Sequence, residues 1–482
     1  MIAGLLLLFP LVCALVLFSV QDLKTVRIIA LTAAAVEFLI SLIAFMLFLH
    51  HNSGMLTLVI PWIETWGISL RFGIDGLGLL LILLTTFLTP LILLSPCRYE
   101  CYRPSAFYGL VMLMEMAFIG VFSARDGLIF YIFWELALIP AYFICVLWGG
   151  KDRRRITFKF FIYTFTGSLF MLAALIYLYL KTPIPHSFSL DVLYTASLSS
   201  TEQTWVFVAF FLAFAIKIPV FPFHSWQPDT YTESPLTGTM LLSGIMLKMG
   251  TYGMMRFMIP LCPESVYTLG PYAIILAVTG IVYASIIAIR QDDLKRLVAF
   301  SSIAHVGLIS AGILSLTIYG MEGAVIQMIS HGINIVGLFF CIDFIERRTG
   351  SRDISRLGGL ARQLPWFSAV FMVILLASIA LPMTNGFIGE FLLLLGIFEY
   401  NKILAAVAGL GIIFSAVYML WMYQRVMLGE AREIPMEMKD VKRSEWLVFI
   451  PLIVMIFWIG LFPSSFLNIA EPVINDLIHS VK

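Results

Sequence analysis

Lys217 stands inside an otherwise apolar stretch, residues 206–223, that Pro219 and Pro222 interrupt. An amine placed at bilayer depth costs roughly 3 kcal/mol even on insertion-based scales, so such residues are rare and tied to function. A proline opens the helical hydrogen-bond ladder, which a membrane tolerates only where protein or water satisfies the freed carbonyls. The pair therefore predicts a polar pocket inside a helical membrane bundle. The remaining chain agrees: 61% of its residues are hydrophobic and 12% charged, against about 25% charged in soluble domains. A net charge of +1 and the lack of a basic tail exclude nucleic acid as an expected partner. The run from Ile2 to Ser19 has no basic leader or small-residue cleavage site, and reads as a first span in contact with lipid.

Apolar runs of about 20 residues predict an all-α polytopic membrane protein with about fourteen transmembrane helices. They centre on residues 2–20, 27–49, 75–95, 105–123, 127–148, 157–180, 204–223, 236–260, 267–290, 295–317, 321–345, 366–399, 403–428 and 445–463. The alternating segment from Leu56 to Phe72, with Pro61 and Gly67, predicts a short surface hairpin. Lys and Arg fall mostly in the loops after odd-numbered spans, including Lys24, Arg98, the 151–159 cluster, Arg290, the 347–362 segment and Arg425 to Arg443. The opposite face carries Arg71, Arg125, Lys181, Arg256, Lys402 and Lys482. Odd loops are therefore expected in the cytoplasm and both termini on the other side.

Glu135 and Lys217 lie on the fifth and seventh spans; His305 and Glu390 follow on the tenth and twelfth after a similar interval. Both sets end in a broken helix, the seventh at Pro219 and Pro222, the twelfth within residues 381–386. Because the seventh runs inward and the twelfth outward, two inverted five-helix repeats are expected, with polar sites at the midplane. The expected segments are 1–104 (three helices and the hairpin), 105–260 (first repeat), 261–430 (second, inverted repeat) and 431–482 (last helix and tail).

At membrane depth stand Glu37, Glu115, Glu135, Lys217, Lys248, His305, His331 and Glu390, with Asn334 near His331. Any of them could simply serve a structural contact with a neighbouring helix. Acids and bases on successive helices, however, form the kind of row that a proton relay needs. Lost hydration disfavours the charged form of a buried amine, and a nearby carboxylate restores it. A tenfold change in proton affinity corresponds to about 1.4 kcal/mol, while moving one charge against 100 mV takes about 2.3 kcal/mol. Two such steps suffice for a pump. His305 and His331 could in principle hold a haem, but the ligands for a second haem are missing and histidine already suits proton transfer. The cysteines, Cys97 and Cys101 included, form no metal or redox pattern, and no glycine-rich nucleotide loop follows a strand.

The stretches Phe133-Trp134-Glu135-Leu136, Lys217-Ile218-Pro219, Pro222 to Asp229, Leu247-Lys248-Met249-Gly250-Thr251-Tyr252-Gly253, Asp293 to Leu297, Ser302 to Gly307, His331-Gly332 and Asn385 to Phe391 resemble the antiporter-like subunits of respiratory complex I. The likeness runs from the third to the thirteenth span. Glu390, where the L and N types usually carry lysine, and the lack of a long lateral helix make the chain similar to the M (chain 4) branch. The resemblance implies that Glu135 and Lys217 are the coupled pair of an input half-channel and Lys248 the central relay. His305 and His331 would connect to Glu390, the terminal residue toward the outer face, with Glu115 and His224 as accessory sites.

The resemblance further implies a proton-translocating subunit of NADH-quinone oxidoreductase that holds no cofactor or metal itself. Partner subunits would carry FMN, iron-sulfur clusters and quinone, and L- and N-type subunits would be its neighbours. With no transit peptide, a bacterial inner membrane is the expected location. The alternative is a subunit of a multi-subunit cation/proton antiporter or of a membrane-bound hydrogenase; a purely structural scaffold is the third possibility.

Overall fold

The computed structural model describes residues 2–51, 53–95, 102–430 and 438–481. Cys97, Arg98, Cys101 and Arg432 lie outside them. Eleven of the described helices are long and apolar enough to cross a membrane. They are α1 (Ile2–Ser19), α2 (Leu23–Leu49), α3 (Gly76–Leu94), α4 (Pro104–Ser123), α5 (Gly127–Trp148), α6 (Arg153–Lys181), α9 (Pro263–Ile289), α10 (Leu294–Leu314), α11 (Ile318–Thr349), α14 (Lys402–Leu428) and α15 (Arg443–Leu461). The three other predicted spans are helical but interrupted, and they carry Lys217, Lys248 and Glu390. They are α7 (Ser200–Lys217), α8 (236–261, containing the π-helices Leu242–Met246 and Met254–Met258), and the pair α12 (Pro365–Ser378) and α13 (Asn385–Tyr400).

Two boundaries differ from expectation. The seventh span was predicted to reach residue 223 but α7 ends at Lys217, and residues 218–226 turn before a short helix, Gln227–Glu233; two prolines so close together leave too few donors for a ladder. The predicted tail after the last span is an amphipathic helix, α16 (Ser464–Val481), which buries Ile469, Ala470, Ile474, Leu477, Ile478 and Val481.

The chain forms two compact units. The first comprises residues 1–218, 233–271 and 469–482. In it α1 packs on α4 and α2, α2 on α3, α5 on α4 and α6, and α7 on α6 and α8. The outward faces of α1 and α2 are apolar, as at Leu8, Ile28 and Leu39, which suits contact with lipid. Acceptor side chains start the helices: Asp75 receives the Gly78 N–H at 2.9 Å, and Asp126 receives those of Leu128 at 2.9 Å and Ile129 at 3.2 Å. The predicted hairpin is present as antiparallel β1 (Thr57–Ile63) and β2 (Ile68–Gly73), with a bulge between Pro61 and Ile63. Its turn needs Gly67, whose φ is 62° and where a Cβ would stand 2.1 Å from the His186 carbonyl oxygen. Arg71 on β2 bonds Ser189 at 2.8 Å and Asp191 at 3.2 Å. Asp75 also pairs with Arg125 at 2.9 Å and with Arg256.

The second unit comprises residues 219–232 and 272–468. Here α11 lies between α10, α12, α13 and α15, and α13 also meets α14 and α15. The backbones of α11 and α13 come so close that a Cβ on Gly323 would sit 2.6 Å from the Leu393 nitrogen, and one on Gly396 2.3 Å from the Gly320 nitrogen. Small residues permit such approach where dispersion and packing, not water exclusion, hold helices together. At one end of the unit, Arg352 pairs with Asp293 at 2.5 Å and donates to the Thr232 carbonyl at 3.1 Å, while Arg296 pairs with Asp229 at 3.2 Å.

Candidate functional site

In the first unit, the end of α7 delivers Lys217 to α5. The amine lies 5.1 Å from the ring centre of Trp134, a cation-π distance, and only 2% of the residue is exposed. Glu135, the next residue on α5, acts on it electrostatically and has Ser168 of α6 beside it. The two do not form a contact ion pair among the described residues, and Lys217 Nζ and Glu135 Oε1 have no hydrogen-bond partner there. Lys248 is in the same unit, buried on α8. Its Nζ donates to the Ser243 carbonyl at 2.7 Å. Ser243 lies within a π-helical turn, where the wider ring leaves a carbonyl open to a side chain.

The second unit gathers three predicted residues. His305 Nδ1 on α10 is 2.9 Å from Glu390 Oε1 on α13. Its ring centre is 6.0 Å from that of His331 on α11. His331 Nε2 meets the Ser302 hydroxyl at 3.0 Å, and Gln327 donates to Glu390 Oε1 at 3.4 Å. His305 Nε2 and Glu390 Oε2 have no hydrogen-bond partner among the described residues. Two small cavities meet at His305: one is lined by Gln327, His331 and Asn334, the other by Glu390, Ser415 and Tyr418. Tyr418 in turn donates to the Ser301 hydroxyl at 2.9 Å.

The accessory candidates lie elsewhere. His224 stacks on Phe221 and meets the edge of Tyr283, each near 5 Å or beyond at 5.6 and 5.0 Å between ring centres. Glu115 on α4 acts electrostatically on Glu37 of α2. Trp134 and Gln327 were missed as site residues. Gln327 had a signal: with His331 and Asn334 it makes a polar stripe at i, i+4 and i+7 on α11. Trp134 had none, because an aromatic in a span is ordinarily packing.

The family described as "NADH:quinone oxidoreductase/Mrp antiporter, TM" matches residues 124–415. A subunit M of NADH-quinone oxidoreductase from Rickettsia conorii is 41% identical over 421 residues, 86% of this chain and 85% of that protein. The chain belongs to this family. Within it, it falls in the M (chain 4) branch: an NADH-ubiquinone oxidoreductase chain 4 from Marchantia polymorpha is 37% identical across 99% of this chain and 97% of its own length. A solved structure of Thermus thermophilus complex I with bound NADH contains a chain that superposes at a TM-score of 0.91, 34% identical and covered completely in both directions. A chain of the Mrp complex of a Dietzia species shares the fold at a TM-score of 0.83, with 21% identity over 99% of this chain and 52% of that one. This M-type chain is thus a multi-pass membrane protein with the antiporter-like fold, and among its described residues no group of three or more His, Cys, Asp or Glu side chains could hold a metal.

Proposed function

We propose that the chain translocates protons as a membrane subunit of an NADH-quinone oxidoreductase, using Glu135, Lys217, Lys248, His331, His305 and Glu390. The observation that carries this reading is the contact of His305 with the buried Glu390, in which each group keeps a second polar atom uncommitted. A proton held on one nitrogen can be matched by release from the other, and the carboxylate can receive on one oxygen and pass from its partner. In the first unit, Trp134 and Glu135 both favour the charged form of Lys217, while burial opposes it. Lys248 has a carbonyl to donate to, so its amine is held in place in either protonation state.

On this reading residues 105–260 and 261–430 are inverted repeats, both termini lie outside the cytoplasm of a bacterial inner membrane, and L- and N-type subunits flank the chain. FMN, iron-sulfur clusters and quinone belong to partner subunits, which do the redox chemistry. The test is proton yield per NADH oxidised in the assembled complex reconstituted into vesicles. Lys217→Ala and Glu135→Ala should sharply reduce it with assembly intact; normal yield in both would overturn the assignment. The second reading, a subunit of a cation/proton antiporter, draws on the fold shared with the Mrp chain. It predicts sodium flux without NADH oxidation.

A further inference from the structure

The first unit contains a second buried ionisable group that the proposed axis does not use. Glu37 on α2 and Glu115 on α4 are each 0% exposed. They face one another within Coulombic reach, and none of their four carboxyl oxygens has a hydrogen-bond partner among the described residues. Four helices enclose them, α1, α2, α3 and α4, which pack on one another. From α1 the facing titratable group is Cys13. From α3 the Thr89 hydroxyl acts on Glu115 while donating to the Thr85 carbonyl at 2.9 Å. One turn along α2, Ser41 bonds Thr86 of α3 at 2.7 Å. Neither carboxyl is in hydrogen-bond contact with a lysine, arginine or histidine among the described residues.

Two carboxylates that share an apolar enclosure without a cation cannot both carry charge. Each would lack hydration, and each would repel the other. Coulomb repulsion between them adds to the loss of hydration. The cheapest resolution is a proton on one oxygen, which converts an acceptor into a donor and lets one carboxyl bond the other.

We propose that Glu37 and Glu115 form a proton-binding carboxyl pair within the α1–α4 helices that retains at least one proton at neutral pH. The pair is a site separate from Lys217 and Glu135. It stands whether or not the transport axis does, since its protonation is read without measuring transport.

Infrared spectroscopy of the purified, assembled complex at pH 7 tests this through the carbonyl stretch of protonated carboxyl groups, identified by its shift in heavy water. Glutamine keeps the shape and mimics a neutral carboxyl, so Glu37→Gln, Glu115→Gln and the double variant should assemble. Difference spectra should show the double variant losing acid-carbonyl intensity relative to the parent. The single variants then count protons: half the loss in each means two protons, and no loss in either means one shared proton that the surviving glutamate keeps. A double variant with undiminished acid-carbonyl intensity would overturn the proposal. Glu37→Lys gives an independent reading. A lysine would place a cation beside Glu115 and ionise it, so the band should fall as in the double variant; an unchanged band there also counts against a proton-holding pair.

Discussion

Trp134 shows how one side chain can set the behaviour of another. Its ring faces the Lys217 amine at 5.1 Å, and a desolvated cation-π contact is worth about 2 kcal/mol. Trp134→Leu should slow proton transfer by roughly tenfold or more, since 1.4 kcal/mol is about a factor of ten, whereas Trp134→Phe should retain most of it. Equal pumping rates in the two variants would refute a role for the ring. Asp126, which caps α5, permits a pH prediction. Burial pushes its carboxyl up to about 6, against the pull of the Ile129 and Leu128 N–H groups and Arg71. The unfolded value is about 3.9, so the folded chain holds this proton more tightly. The associated stability is complete below pH of about 4 and is lost as pH rises through about 6. Asp126→Asn keeps an oxygen for the cap, and should shrink the drop in melting temperature between pH 5 and pH 8 in detergent. An undiminished drop would mean that Asp126 is not its source.

At the scale of elements, the interruptions hold the chemistry. The π-helical turn at Leu242–Met246 offers the Ser243 carbonyl to Lys248, and such turns amount to one extra residue in a helix. Deleting Ile245 should restore regular α-geometry, draw the Ser243 carbonyl into the helical ladder, deprive Lys248 of that acceptor and sharply reduce pumping while α8 remains helical. Persistent proton flux in that variant would show the turn to be dispensable. The contact of α11 with α13, which brings Glu390 toward His305, depends on glycine. Gly323→Ala would press a methyl to 2.6 Å from the Leu393 nitrogen, and overpacking of this kind costs about 1–3 kcal/mol. A lower melting temperature together with reduced pumping is expected, and an unchanged melting temperature would contradict the close fit. The apolar runs made the helices legible in the sequence, and proline marked the breaks near Lys217 and Glu390. The π turns were not legible, because residues 242–246 and 254–258 contain no proline or other residue that marks a wider turn. The link of His305 to Glu390 was legible only through the family resemblance, since the two are 85 residues apart and their direct contact arises from the packing of α10, α11 and α13.

For the whole molecule, the distribution of basic residues predicts that both termini lie outside the cytoplasm. A cysteine introduced at Ser480 should react with an impermeant thiol reagent added to intact cells, and protection there with reactivity in inside-out vesicles would reverse the orientation. The last residues have a further role that follows from where they pack. Residues 469–482 belong to the first unit, with residues 1–218, and a Cβ on Gly76, at the start of α3, would stand 1.8 Å from the Ile469 carbonyl oxygen. The ribosome makes the start of α3 393 residues before Ile469. The helices made first must therefore wait in the bilayer, with one side unfinished, until α16 has been made, and termination after Leu461 would leave that side open to proteases.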